Sequence, residues 1–186
     1  MRYIAERIGI KAALGNSVYK IIGYFRQMVT TVNQLDSEMT ELKRVTSETE
    51  GVYNDFLRNT TKKAQALGAT MDQVISSTTS FVKLGYSMED AQTLASNSII
   101  YKTVGDIDID TATNDMISAM KAFNLEAAQS EHIVDAFNII GDKYAISSQQ
   151  VGEGLRGSAA ALATANNTFE ESAAMVTAIT EITQDA

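Results

Sequence analysis

Apolar residues recur in alternating steps of three and four along the first part of the chain. This heptad pattern runs from Val18 to Leu42, and polar residues such as Asn33 and Asp36 lie between its apolar positions. A period of about 3.5 residues predicts an amphipathic helix near 17–45 whose narrow seam packs against another helix. That helix could belong to the same chain or to a second one, and the pattern leaves both open. The seam, a possible oligomer contact, consists of Val18, Ile21, Phe25, Met28, Val32, Leu35, Met39 and Leu42.

Beyond Val45, apolar residues recur with the helical period of about 3.6 in short blocks. Most blocks begin with a side chain suited to capping a helix and end near a glycine. The expected N-caps are Ser47, Thr70, Ser87, Asp110, Ser147 or Ser148, and Thr168, and the expected terminators are Gly68, Gly85, Gly105 and Gly141. These signals predict helices near 48–66, 71–84, 88–103, 111–123, 127–140, 148–163 and 169–183.

The pattern therefore predicts an all-α fold, with a long N-terminal amphipathic heptad helix followed by a multi-helix domain of short capped helices. We expect a basic N-terminal segment and heptad helix in residues 1–46 and a helical domain in residues 47–186. The chain of 186 residues contains no proline, which agrees with helices joined by short turns. It contains no cysteine either, which excludes disulfides, thiol catalysis and cysteine-ligated metals.

Charge is distributed unevenly along the sequence. Residues 1–30 carry five basic side chains and one acidic side chain, a net charge of +4. Because the whole chain has a net charge of −8, the remaining residues together carry −12. Such a basic segment is typical either of a solvated helix end or of a segment that binds a surface, including anionic lipid. The acidic balance argues against a nucleic-acid partner, because affinity for nucleic acid comes largely from neutralising phosphates. No apolar run reaches the roughly 18 residues of a membrane span.

Motifs that suggest chemistry have simpler structural explanations. Residues 152–157 fit the pattern G-x-G-x-x-G, but no strand precedes them, so we interpret the glycines as allowing close approach or bending of a helix. Four aspartates between Asp106 and Asp115 lack the glycine and glutamate of a calcium-binding EF-hand loop. His132 is the single histidine, too few for a zinc site or a catalytic triad. The sequence therefore predicts no enzyme activity, no metal and no cofactor.

An ordered set of segments from about Val45 onward resembles the core region of the tail tape-measure proteins of tailed bacteriophages and related prophages. No single segment is specific, since each is ordinary helix-and-turn sequence. The order of the segments over most of the chain is specific. The segments are 67–70 (LGAT), 81–91 (FVKLGYSMEDA), 101–106 (YKTVGD), 122–123 (AF), 133–138 (IVDAFN), 144–148 (YAISS), 155–161 (LRGSAAA) and 167–172 (NTFEES).

The resemblance implies a structural protein of the virion tail. A tape-measure protein occupies the tail tube, sets tail length during assembly in the host cytoplasm, and leaves the tube ahead of DNA. The implied partners are tail-tube proteins, tail-assembly chaperones, and baseplate or tail-tip proteins, with self-association through the N-terminal helix. Membrane contact is expected during ejection only. The family supplies no catalytic residues for this region.

Tape-measure proteins are usually much longer than this chain, so we expect a fragment. Fully helical, 186 residues would extend only about 280 Å, since a helix rises 1.5 Å per residue. The alternative is a helical partner-binding or oligomerisation module with no catalytic activity. A membrane-active protein whose first thirty residues lie on anionic lipid is a further alternative.

Overall fold

The computed structural model describes residues 30–183, and within that range the chain forms helices and turns with no strand. The all-α prediction is therefore confirmed for the described residues. Residues 30–45 are helical and are called α1. The predicted start of this helix near residue 17 lies outside the described residues, so its full length stays a prediction. The other helices are α2 (Glu50–Leu67), α3 (Met71–Lys83), α4 (Met88–Gly105), α5 (Ile109–Ala122), a 3-10 turn (Ala127–Gln129), α6 (Ser130–Lys143), α7 (Ser148–Thr164) and α8 (Phe169–Thr183).

Contacts within the chain fall into two units that divide between Thr40 and Glu41. The described part of the first unit is residues 30–40, which are helical. The second unit holds the rest of α1 and helices α2 to α8. The predicted division into a basic segment with the heptad helix (residues 1–46) and a helical domain (residues 47–186) stays a prediction.

Side-chain caps fix where most helices begin. Ser147 accepts a hydrogen bond from the Gln150 amide at 3.1 Å, as predicted. Two expected caps are wrong. The cap of α2 is Thr49 rather than Ser47. The cap of α5 is Asp108 rather than Asp110, because its Oδ1 accepts from the Thr111 amide at 2.8 Å and satisfies one of the helix's free N–H groups.

Among the expected glycine terminators, Gly68 ends its helix as predicted, whereas Gly105 and Gly141 do not. Gly68 ends α2 in the left-handed conformation with φ of 64°, which glycine adopts at little cost. Gly105, in contrast, is the last residue of α4, and Asp106 takes the left-handed position with φ of 50°. Gly141 lies inside α6, where Ser148 comes so close that an added Cβ would approach the serine Oγ to 2.6 Å. This glycine therefore allows close packing rather than ending a helix.

The main core lies among α4, α5, α6, α7 and α8, with α3 packed on its side. Aromatic rings connect the helices at its centre: Phe137 lies 5.0 Å from Tyr101 and 6.1 Å from Phe169 between ring centroids. A smaller cluster of Ala64, Val74 and Ile99 joins α2, α3 and α4. Burial of these side chains supplies the main stabilising term of the fold.

Candidate functional site

The apolar seam predicted near the start of the chain is only partly described. Val18, Ile21, Phe25 and Met28 lie outside the described residues. Of the others, Val32 is 63% exposed, Leu35 is half-buried, and Met39 and Leu42 are buried. Leu42 therefore already packs within this chain. Pairing of the seam with a second chain stays a prediction.

The motifs that suggested chemistry do not assemble into a reactive site. The G-x-G-x-x-G segment lies inside α7 rather than in a loop after a strand. The aspartates near the start of α5 serve separate purposes, since Asp106 ends α4, Asp108 caps α5 and Asp115 is buried. Among the described residues, no group of three histidines, cysteines or acids is arranged to hold a metal ion.

A buried polar cluster joins α4, α5 and α7. Asp115 of α5 has a side chain with 0% exposure. Its Oδ2 lies 3.3 Å from the Tyr101 hydroxyl of α4, which also donates to the Ser148 carbonyl at 2.9 Å. Its Oδ1 lies 3.4 Å from the Arg156 guanidinium, an ion pair, and accepts no hydrogen bond. The carboxyl group of Asp115, on α5, thus contacts side chains of α4 and α7 and connects the three helices.

Gly152 of α7 makes room for this cluster. A Cβ atom at residue 152 would collide with the Tyr101 hydroxyl and with the Asp115 carboxylate. At Gly157 the corresponding position has no heavy atom within 4 Å apart from its chain neighbours and the backbone of its own helix. The predicted close approach therefore applies to Gly152, and the close neighbours are polar side chains. An alanine there would need a shift of buried atoms.

Burial dominates the electrostatics of the cluster. It raises the pKa of Asp115 to about 6, an increase that the Arg156 guanidinium and the Tyr101 hydrogen bond only partly oppose. Burial, followed by the Asp115 charge, also raises the pKa of Tyr101. The single proton of the Tyr101 hydroxyl has two acceptors within reach, the Ser148 carbonyl at 2.9 Å and Asp115 Oδ2 at 3.3 Å. Asp115 is therefore protonated in the folded chain up to about pH 6, well above the range of an exposed aspartate.

The enclosure of Asp115 argues for a structural role. A catalytic group must touch its substrate, and this side chain has no exposed surface. Its position could have been inferred from sequence only in part: Ala112 and Ala119, three before and four after it, lie on the buried face of α5. That spacing places Asp115 on the same face. Nothing in the sequence pairs it with Tyr101 or Arg156.

An apolar groove of about 590 Å³ lies on the surface between α6 and α8. Ile139, Ile140 and Tyr144 line one side, and alanines of α8 line the other. The His132 ring bonds to Glu170 at 2.9 Å across the two helices. The pKa of Glu170 is lowered by its own backbone N–H and by this contact with His132.

The family model of the phage-related minor tail proteins matches residues 61–186, which is more than half of the chain. No solved structure matches the chain. Among the described residues, no helix is both long enough and apolar enough to cross a membrane.

Proposed function

Because the chain belongs to the family of phage-related minor tail proteins, we propose that it is part of a tail tape-measure protein. In this role it occupies the tail tube, sets tail length during assembly, and leaves ahead of DNA at infection. The observation that carries the proposal is the family match over residues 61–186, on a part of the chain that is helical throughout its described elements. The ordered segments that resemble tape-measure proteins support the more specific assignment to a tape-measure protein.

The core chemistry supports a chain that can open into an extended form. Many buried polar side chains are hydroxyls that bond to carbonyls of their own helix. They include Thr78 to Val74 at 2.7 Å, Ser98 to Leu94 at 3.0 Å and Thr177 to Ala173 at 2.7 Å. A hydroxyl satisfied within its own helix keeps that bond when the helix leaves its neighbours, so separation of the helices leaves these hydroxyls paired.

Few buried polar contacts of the described core cross between helices. Ser77 and Thr113 bond across α3 and α5 at 2.9 Å, and the Asp115 cluster joins α4, α5 and α7. The chain has no cysteine and hence no disulfide that would oppose extension. Helix separation is therefore opposed mainly by non-directional apolar packing.

The partners that go with this role are tail-tube proteins, tail-assembly chaperones, and baseplate or tail-tip proteins. Self-association through the seam from Val18 to Leu42 suits several copies lying side by side in one tube. The location is the tail lumen in the virion and the host cytoplasm during assembly. Contact with a membrane is limited to ejection.

Protease protection of purified virions tests the luminal position. In intact particles we expect peptides of this chain to be detected by mass spectrometry and to resist added protease. After ejection is triggered, the chain should leave the particles while tail-tube protein remains. A chain absent from virions, or cleaved in intact particles as fast as an external tail protein, contradicts the proposal.

The second candidate is a helical partner-binding module without catalytic activity, favoured by the apolar groove between α6 and α8. Such a module acts during assembly and need not remain in the particle. The same mass spectrometry separates the two candidates, because an assembly-only module is found in infected cells and missing from finished virions.

A further inference from the structure

The groove between α6 and α8 has the shape of a helix-binding site. On the α6 side, Ile139 and Tyr144 are each about half exposed. On the α8 side, Ala174 and Ala178 are small and exposed, so a neighbouring backbone could approach closely. A channel between two helices with large apolar side chains on one wall and small ones on the other accepts the apolar stripe of a third helix.

The apolar lining is continuous with the core. Ala173 of α8 is buried and packs in the main cluster, with Ile140 of α6 packed against it. A helix seated in the groove would therefore extend the existing core by one layer. Large exposed apolar surfaces of this kind mark interaction sites on otherwise polar proteins.

The charges around the groove select the partner. Its lining contains three carboxylates, Asp135, Glu170 and Glu181, against one lysine and one histidine. All the charged residues of α8, from Phe169 to Thr183, are acidic. A second copy that presented the same two helices would bring the same excess of carboxylates and meet like charge. Basic side chains on both sides of an apolar stripe would instead be attracted.

We propose that the α6–α8 groove binds an amphipathic helix with basic flanks. The apolar stripe of that helix fills the space between Ile139 and the alanines of α8, and its lysines or arginines lie near Asp135 and Glu181. The groove and the seam of Val18 to Leu42 have no residue in common. The inference does not depend on the tape-measure role.

Two designed helical peptides test the proposal on the full-length chain. Both carry the same leucine stripe at i, i+3, i+4 and i+7, with lysine flanks in one and glutamate flanks in the other. By fluorescence anisotropy we expect the lysine peptide to bind at least about tenfold more tightly, with an affinity that falls as salt is added.

Matched variants locate the binding site. Ile139→Ser should weaken binding of the lysine peptide about tenfold, whereas Ile100→Ser, an exposed isoleucine on α4, should not. Asp135→Asn should weaken it about two- to fivefold, whereas Asp142→Asn, an exposed aspartate of α6 outside the groove, should not. Thermal melts by circular dichroism check that each variant is folded.

Each of the following outcomes overturns the proposal. The first is equal affinity for the two peptides, which would show that charge does not select the partner. The second is binding of the lysine peptide weaker than about 1 mM, or binding unchanged by Ile139→Ser. The third is a concentration-dependent dimer in sedimentation velocity that Ile139→Ser dissociates, which would identify a second copy as the occupant.

Discussion

Replacing the buried aspartate with its neutral isostere should change the pH dependence of stability. In the folded chain the pKa of Asp115 is raised to about 6 from an ordinary value of 3.8. Between these values the folded state holds a proton that the unfolded state has released. Stability from this group is therefore complete below about pH 4 and is lost as the pH rises through 6. Asp115→Asn cannot ionise and should not show this loss.

The size of the effect follows from the shift. A rise of about two pKa units corresponds to about 3 kcal/mol, at 1.36 kcal/mol per unit. The difference in unfolding free energy, Asp115→Asn minus wild type, should therefore increase by about 2.5 kcal/mol between pH 4 and pH 7, because the unfolded carboxyl group is already partly ionised at pH 4. The amide keeps an oxygen that can accept from Tyr101, so the variant retains this contact.

Urea denaturation followed by circular dichroism at pH 4, 5, 6 and 7 measures this difference. The lowered pKa values of Asp108 and Glu170 mean that their contribution to the stability of the fold is lost as the pH falls. Both residues are present in the wild type and in the variant, so their contributions cancel in the difference. Asp110→Asn, an exposed aspartate of the same helix, is the matched control. A difference that stays constant across this range, or that decreases as the pH rises, refutes a raised pKa for Asp115 in the folded chain.

Three further predictions follow from the fold and the seam. Gly152→Ala should destabilise the chain by about 1–3 kcal/mol in urea denaturation because the methyl group collides with buried side chains. The control, Gly157→Ala, should be neutral or stabilising by up to about 1 kcal/mol. Equal effects of the two substitutions on the unfolding free energy would contradict the packing described. Asp108→Ala should lower the unfolding free energy by about 1 kcal/mol at pH 7 through loss of the α5 cap, and an unchanged urea midpoint would show that the cap contributes nothing. Met28→Glu should convert a self-associating chain to a monomer in sedimentation velocity, and a wild-type chain that is monomeric at every concentration would remove the seam as an oligomer contact.

The helical architecture could be predicted because its signals are local. Caps such as Ser87 and Thr168 act on amide groups three residues away, so the sequence displays both partners together. The error at α5 has the same origin: Asp108 and Asp110 are both good caps, and propensity alone does not choose between them. Gly141 was misassigned because its packing against Ser148 of α7 depends on the tertiary fold.

The buried cluster and the groove could not be predicted to the same extent. The Tyr101 hydroxyl meets Asp115 and the Ser148 carbonyl, which lie 14 and 47 residues away in the sequence, and helical periodicity carries no information about which helices pack together. The groove depends in the same way on α6 and α8 lying side by side. Ile139 lies beside the stripe of Ile133, Phe137 and Ile140 rather than on it, and the sequence does not show which helix lies next to it.

Tail length is the most direct test of the tape-measure role. In a phage that encodes this chain, an in-frame duplication of about 60 residues, 88–147, would add about 90 Å if the added segment lies as a helix along the tube. Electron microscopy of purified virions should show tails longer by that amount, while a duplication of equal size in another tail gene should leave length unchanged. Infectious particles that carry the longer chain and have tails of unaltered length would contradict the role.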